Sequence, residues 1–318
     1  MNLLLVGEFD PGEQRLWADE LQRRLPAHRV LNTRGEVGDD QIEVAVVANP
    51  PPGSLQGLPA LRLIQSLWAG VDRLLADATL PPGVPIARMV DPAMTDAMAE
   101  TALWATLAIH RGFFDYARLQ AAGRWQPLPQ RRADELGVLV LGHGQMGGAV
   151  ARRLAAQGYR VRAWRRGDRP AATTAAAASG VILLDGGDAL RRALPTAQVL
   201  VNLLPLTTDT RGLIDAALLA ALPQGAAVVN LARGAHVVDA DLLAALDAGH
   251  IAQAVLDVFH AEPLPAGHRY WTHPRVALLP HAAALTDLRS AAALAAANIA
   301  ALAGGGPVAH RVARDAGY

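Results

Sequence analysis

The 318-residue sequence predicts an α/β chain of two doubly wound parallel-sheet domains. Three observations carry that expectation. Strand and helix signals alternate through the first hundred residues, and they alternate again from Val138 onward. Such alternation belongs to parallel sheets with helices on both faces. Residues 137–166 read as strand, glycine turn, helix and second strand. The length exceeds that of one ordinary domain.

In chain order, Leu3–Val6 reads as a strand and Glu13–Arg24 as an amphipathic helix. Val44–Ala48 is a strand that runs into the breaker cluster Asn49–Gly53. Leu61–Ser66 is a strand ending in Leu67-Trp68-Ala69-Gly70-Val71-Asp72. Pro92–Gln120 carries long helical periodicity, interrupted by little except Gly112, and reads as a crossover helix. Strands are then expected at Val138–Leu141, Arg160–Trp164, Val199–Leu203, Ala227–Leu231, Ala254–Asp257 and Val276–Leu279. The Ala-rich stretch Asp287–Ala303, stopped by Gly304-Gly305-Gly306-Pro307, reads as a helix that returns the chain to the first domain. The Ala-rich stretch 171–178 is compositional bias rather than a repeat. Residues 1–100 and 284–318 therefore form one domain and 101–283 the other, with a ligand cleft expected between them.

The turn Gly142-His143-Gly144-Gln145-Met146-Gly147 follows an apolar strand and opens a helix, the setting a dinucleotide fingerprint requires. Gly142 permits the tight turn, Gly144 lets backbone approach a pyrophosphate, and Gly147 lets helix and strand pack closely. The helix start, with Gln145 and Met146, offers N–H groups and a positive dipole end to phosphates. The second strand ends at Trp164-Arg165-Arg166, with Arg165 where an NAD-type acid would stand. A guanidinium pairs with a 2′-phosphate that a carboxylate would repel. NADPH is therefore expected over NADH, with NAD as the weaker cofactor; Asp168 lies just past the strand end.

Composition narrows the function classes. Apolar residues make up 52% and charged residues 18%, enough for sizeable cores, and the formal net charge is zero. Nothing in that balance points to nucleic acid or an acidic membrane surface. There is no Cys, so disulfides, thiolate metal sites and a Cys nucleophile are excluded, and no metal is expected. The N-terminal MNLLLVGEFD reads as a buried strand rather than a signal peptide, and no apolar run reaches membrane-spanning length. A cytoplasmic protein is expected.

Arg233, Glu262 and His281 fall at or just after expected strand ends, where an open α/β sheet binds its ligands. Arg233 offers a planar fork to a carboxylate and to a carbonyl oxygen that becomes an alkoxide. His281 can deliver a proton near neutral pH. Glu262, in contact with the imidazole, would favour its charged form. These types suit hydride transfer to a 2-keto acid.

The chain resembles the D-isomer-specific 2-hydroxyacid dehydrogenases, most closely their glyoxylate/hydroxypyruvate reductase A branch. The resemblance runs through residues 66–75, 137–164, 201–214, 230–251, 256–265, 273–283 and 311–318. It implies a flavodoxin-like substrate domain, a Rossmann nucleotide domain, a homodimer, and reduction of glyoxylate, hydroxypyruvate or a similar acid. It implies that Arg233 binds substrate, Glu262 tunes the histidine and His281 is the acid/base. Asp257 and the backbone near Ala232 would hold the nicotinamide carboxamide, Leu204-Pro205 would border the adenine or ribose, and His281 would adjoin the cofactor. Backbone N–H groups of Trp68, Ala69 and Gly70 would take the substrate carboxylate. Trp68 stands where many members have Gly, so it either narrows the pocket, stacks on an aromatic substrate, or packs between domains; a dehydrogenase for larger or aromatic keto acids is a further alternative. Leu203 replaces a common His, as this branch also does. Tyr270 and Trp271 either wall the pocket or pack in the core. Formate dehydrogenases pair their His with Gln, against Glu262 here. The corepressors of this fold, which keep the Arg–Glu–His set, leave a dinucleotide-sensing protein as the alternative.

Overall fold

The computed structural model describes residues 1–167 and 179–314. Asp168 and the Ala-rich stretch 171–178 lie outside the described residues. The chain divides into two compact units, Met1–Met94 with Thr286–Tyr318, and Thr95–Leu285.

The first unit is built on a five-stranded sheet of β1 (Asn2–Gly7), β2 (Arg29–Leu31), β3 (Ile42–Ala48), β4 (Leu63–Ser66) and β5 (Ile86–Ala87). All its pairs are parallel and the order is β2-β1-β3-β4-β5, which is the flavodoxin-like order. The near-continuous apolar run of β3 fits a strand covered on both faces. Alternation splits the core. Leu3, Leu5, Val44 and Val46 pack on one face with Ala291, Ala295 and Ile299 of the C-terminal helix (Leu288–Ala303). Leu4, Ala45, Val47 and Ile64 pack on the other. Helix α1 (Pro11–Arg24) starts at Asp10, whose carboxylate accepts the N–H groups of Gly12 and Glu13 at 2.8 Å. Asp287 caps the C-terminal helix in the same way, through Arg289 and Ser290. A single turn, α2 (Asp72–Leu75), follows the loop after β4.

The expected long helix is two. Helix α3 (Pro92–His110) stops at Gly112, which adopts the left-handed φ of 68°, and α4 (Phe113–Ala121) starts anew. Periodicity alone ran through the break, whereas glycine's ready access to positive φ permits it.

The second unit holds a seven-stranded parallel sheet. Its strands are β6 (Gly137–Leu141), β7 (Arg160–Arg165), β8 (Ile182–Asp185), β9 (Val199–Asn202), β10 (Ala226–Asn230), β11 (Ile251–Leu256) and β12 (Val276–Leu278). Read from the β8 edge, the order is β8-β7-β6-β9-β10-β11-β12, the dinucleotide-fold order 3-2-1-4-5-6 extended by one strand. Helices α5 (Gln145–Ala156), α6 (Gly186–Ala193), α7 (Ala216–Ala221) and α8 (Asp239–Asp247) connect them. Strands β2, β5 and β8 were not anticipated; the rest fall within about three residues of expectation. Among the described residues no helix is long and apolar enough to cross a membrane.

Candidate active site

The glycine turn after β6 fits a dinucleotide on steric grounds. Gly142 has φ of 100°, and a Cβ there would lie 2.8 Å from the Leu203 carbonyl oxygen. A Cβ on Gly147 would fall 2.0 Å from the Gly142 oxygen, so only glycine lets α5 sit this close to β6. Gly144 differs: a Cβ there meets nothing within 4 Å. The backbone at Gly144 is therefore bare on the side a pyrophosphate would approach. Helix α5 begins at Gly144 without a side-chain cap, which leaves its first N–H groups and its dipole to a ligand.

Three of the expected residues follow β10, β11 and β12. His281 Nδ1 lies 2.7 Å from Glu262 Oε2, and the carboxylate's other oxygen accepts the Phe259 N–H at 2.8 Å. The carboxylate thus fixes a proton on Nδ1 and leaves Nε2 as the atom that can take or give one. Both side chains are exposed. His281 itself adopts a left-handed φ of 53°. Asp257 holds that turn: its carbonyl accepts the His281 N–H at 2.8 Å, and its Oδ1 accepts those of Ala282 and Ala283 at 2.7 and 3.1 Å. Burial pushes the Asp257 carboxyl above its ordinary range, and the two amide donors oppose the shift.

Arg233 follows β10, partly buried, with one terminal nitrogen 2.7 Å from the Ala232 oxygen. Residues that the sequence reading passed over shape its loop. The buried pair Asn202 and Asn230, at the ends of β9 and β10, are bonded side chain to side chain at 3.0 Å. Asn230 also donates to the Arg233 oxygen at 3.0 Å. The fully buried His236 lies 3.2 Å from the Arg233 oxygen and 3.3 Å from that of Pro205, joining two loops at the strand ends. A Cβ on Gly234 would fall 2.0 Å from the Phe259 carbonyl carbon, so glycine lets the Arg233 loop rest on the Phe259 backbone. Polar residues at the ends of apolar strands were the available signal.

A family model, D-isomer specific 2-hydroxyacid dehydrogenase, NAD binding domain, matches residues 103–283. The chain belongs to that family. It is 42% identical over 308 residues to a glyoxylate/hydroxypyruvate reductase A of Klebsiella pneumoniae (strain 342), covering 95% of this chain and 96% of the relative. A family structure from Xanthobacter autotrophicus Py2, in complex with NADPH and MES, superposes with a TM-score of 0.91 at 38% identity, covering 100% and 99% of the two chains. An NADPH-dependent glyoxylate/hydroxypyruvate reductase from Sinorhizobium meliloti, in complex with NADP and sulfate, gives 0.86 at 33% identity over 100% and 99%. The chain is thus a 2-hydroxyacid dehydrogenase of the reductase A branch, an NAD(P)-dependent oxidoreductase.

The remaining expected positions of this dehydrogenase vary. Arg165 ends β7 in an ion pair through Nε to Asp185, which ends the neighbouring strand β8; Arg166 pairs with Asp209. The Asp185 partner, twenty positions along the chain, was not anticipated. Leu204 buries its side chain in the core and donates its N–H to Asn202 Oδ1 at 3.3 Å, and the Pro205 oxygen accepts the Thr210 hydroxyl at 2.8 Å. In the first unit the Trp68 N–H donates to Ser66 Oγ at 3.0 Å, so of the three amides expected to take a carboxylate this one is already engaged. The Trp68 ring packs edge-on against Trp17 at 6.4 Å. Tyr270 lies in the core with its hydroxyl on Asp239, and Trp271 is exposed.

Proposed function

We propose that this chain reduces small 2-keto acids, glyoxylate and hydroxypyruvate first among them, with NADPH preferred over NADH. The observation that carries the reading is the Glu262–His281 pair at 2.7 Å, at the carboxyl edge of the sheet whose first turn is the dinucleotide fingerprint. The relatives' names supply the substrates, and the NADPH- and NADP-bound neighbours favour the phosphorylated cofactor.

NADPH, when bound, supplies a hydride from C4 of its nicotinamide. His281 gives its Nε2 proton to the keto oxygen as the carbon is reduced, and Glu262 steadies the imidazolium. Arg233 holds the substrate and polarises its carbonyl. The products are D-2-hydroxy acids, or glycolate from glyoxylate. The first unit serves as substrate domain, with the Ala69 and Gly70 amides facing the carboxylate, and the second as nucleotide domain. Gly142, Gly144, Gln145, Met146 and Gly147 receive the pyrophosphate, and Arg165 and Arg166 the 2′-phosphate. Asp257, Ala232 and His281 adjoin the nicotinamide end. The working form is a homodimer, supported by the exposed rings of Trp104, Phe113 and Trp125 on and beyond α3 and α4. The reaction draws on NADPH, and the cytoplasm is its proposed compartment.

The test is loss of NADPH absorbance with glyoxylate, hydroxypyruvate, pyruvate and phenylpyruvate, with NADH in parallel. Fast turnover of the small acids with NADPH is expected. Preference for phenylpyruvate would replace the substrate class, and tight NADPH binding without turnover would replace the enzyme by a dinucleotide sensor.

A further inference from the structure

Arg88 is a cation that nothing in the first unit explains. It follows β5, between Ala87 and Met89, and is partly buried. Among the described residues its guanidinium has no ion pair and no hydrogen-bond partner. Burial alone moves it, downward from the ordinary arginine value, and no carboxylate opposes the shift. The nearby acid Asp91 is buried and already accepts from the Ser290 hydroxyl at 2.6 Å. A partly desolvated charge without a partner is a standing cost in the folded chain, and groups of this kind concentrate at functional sites.

Its place in the fold says what the charge is for. Strands β4 and β5 run parallel, with Gln65 opposite Ala87, so Arg88 comes next to the end of β4. The Met89 N–H donates to the Trp68 oxygen at 3.1 Å, which ties the segment after β5 to the loop Trp68-Ala69-Gly70. Ala87 and Met89 both bury on the sheet face covered by the C-terminal helix. By alternation Arg88 projects to the opposite face. That is the face onto which the same loop continues, where Leu74 of α2 packs. Arg88 thus stands at the carboxyl edge of the sheet, where open α/β sheets bind ligands.

We propose that Arg88 is a substrate-binding residue whose guanidinium takes the carboxylate of the keto acid together with the Ala69 and Gly70 amides. This rests on the reductase reading above and assigns the labour within it. Arg88 anchors the anion, and Arg233 is left to the carbonyl that is reduced. A planar fork matches a carboxylate through two parallel hydrogen bonds, which an ammonium cannot reproduce.

The test compares the wild type with Arg88→Gln and Arg88→Lys. Two readouts bear on the anion: the KM for glyoxylate, and the Kd of oxalate by calorimetry, which needs no turnover. Two controls are the NADPH Kd and the melting temperature. Arg88→Gln should raise the glyoxylate KM and the oxalate Kd together, each about 10- to 100-fold, with a smaller change in kcat. Arg88→Lys should fall between. NADPH affinity should hold, and the melting temperature should not fall, because an unpaired cation is removed. Unchanged KM and oxalate Kd in Arg88→Gln would overturn the proposal. So would a joint loss of NADPH affinity and thermal stability, which would make Arg88 structural. A wild type that binds oxalate through Arg88 yet turns over no keto acid would sink the reductase reading and keep Arg88 only as a carboxylate-binding residue.

Discussion

Two acid–base pairs sit at strand ends of the seven-stranded sheet, and they differ in how far water reaches them. The Arg165 and Asp185 side chains are 14% and 30% exposed, whereas His281 and Glu262 are 54% and 36% exposed. The first pair joins residues that face each other across two neighbouring parallel strands, so the sheet register itself holds them together. The second joins two loops, and its geometry depends on Asp257 and the Phe259 amide. Exposed ion pairs are worth little to stability. Stability therefore gives little reason for the His281 pair, which fits the acid–base role proposed for it. The Arg165 pair is held by the sheet register, and a 2′-phosphate bound as proposed would share its guanidinium with Asp185.

The largest expected effect breaks the chemical pair. His281→Ala should lower kcat/KM for glyoxylate by about 10²- to 10⁴-fold, the range of general acid catalysis. NADPH affinity, followed by fluorescence titration, should be nearly unchanged, because the glycine turn lies elsewhere on the sheet edge. Loss of folding would instead make this histidine structural. Glu262→Gln keeps a hydrogen-bond acceptor and removes the charge, so a smaller loss, about tenfold, is expected.

Breaking the other pair should change preference rather than rate. Arg165→Asp is expected to shift the NADPH to NADH ratio of Kd values toward NADH by about 10- to 100-fold, the worth of a charge-assisted hydrogen bond. It also sets two carboxylates side by side with Asp185. Arg165→Ala, which avoids that repulsion, should shift the ratio in the same direction by less. An unchanged ratio in both variants would mean that Arg165 does not reach the 2′-phosphate.

The same contrast explains how much the sequence revealed. The glycine turn was legible because each of its requirements is local: a strand, a turn at positive φ, a helix start. The placement of Arg233, Glu262 and His281 after strands was legible because apolar runs mark where strands end. The Arg165–Asp185 pair was not, since its register passes through a β8 too short and too exposed to stand out. Strand β2, with three residues, and β5, with two, are too short to show a period. The break at Gly112 was visible as a residue but not as a conformation, because a glycine inside a periodic run is compatible with either outcome. The Asn202–Asn230 bond and the bridge from His236 join loops about thirty residues apart, a separation over which no local pattern speaks.

Asp257 offers the finest test, because it supports the exposed pair from a buried position. Its carboxyl is raised by burial, so the folded state holds the proton more tightly than the unfolded chain does. Below the unfolded value both states are protonated, and the group leaves stability unaffected. As pH rises from about 4 through the raised folded value, ionisation in the folded state lags, and a stability penalty accumulates. Asp257→Asn removes that titration while keeping an oxygen for the Ala282 and Ala283 amides. Calorimetric melting temperatures of variant and wild type should therefore diverge in the variant's favour as pH rises from about 4. A constant difference as pH rises would mean that the amide donors fully offset burial. A difference moving the other way would mean that they outweigh it, and that the His281 turn draws on Asp257 as an anion.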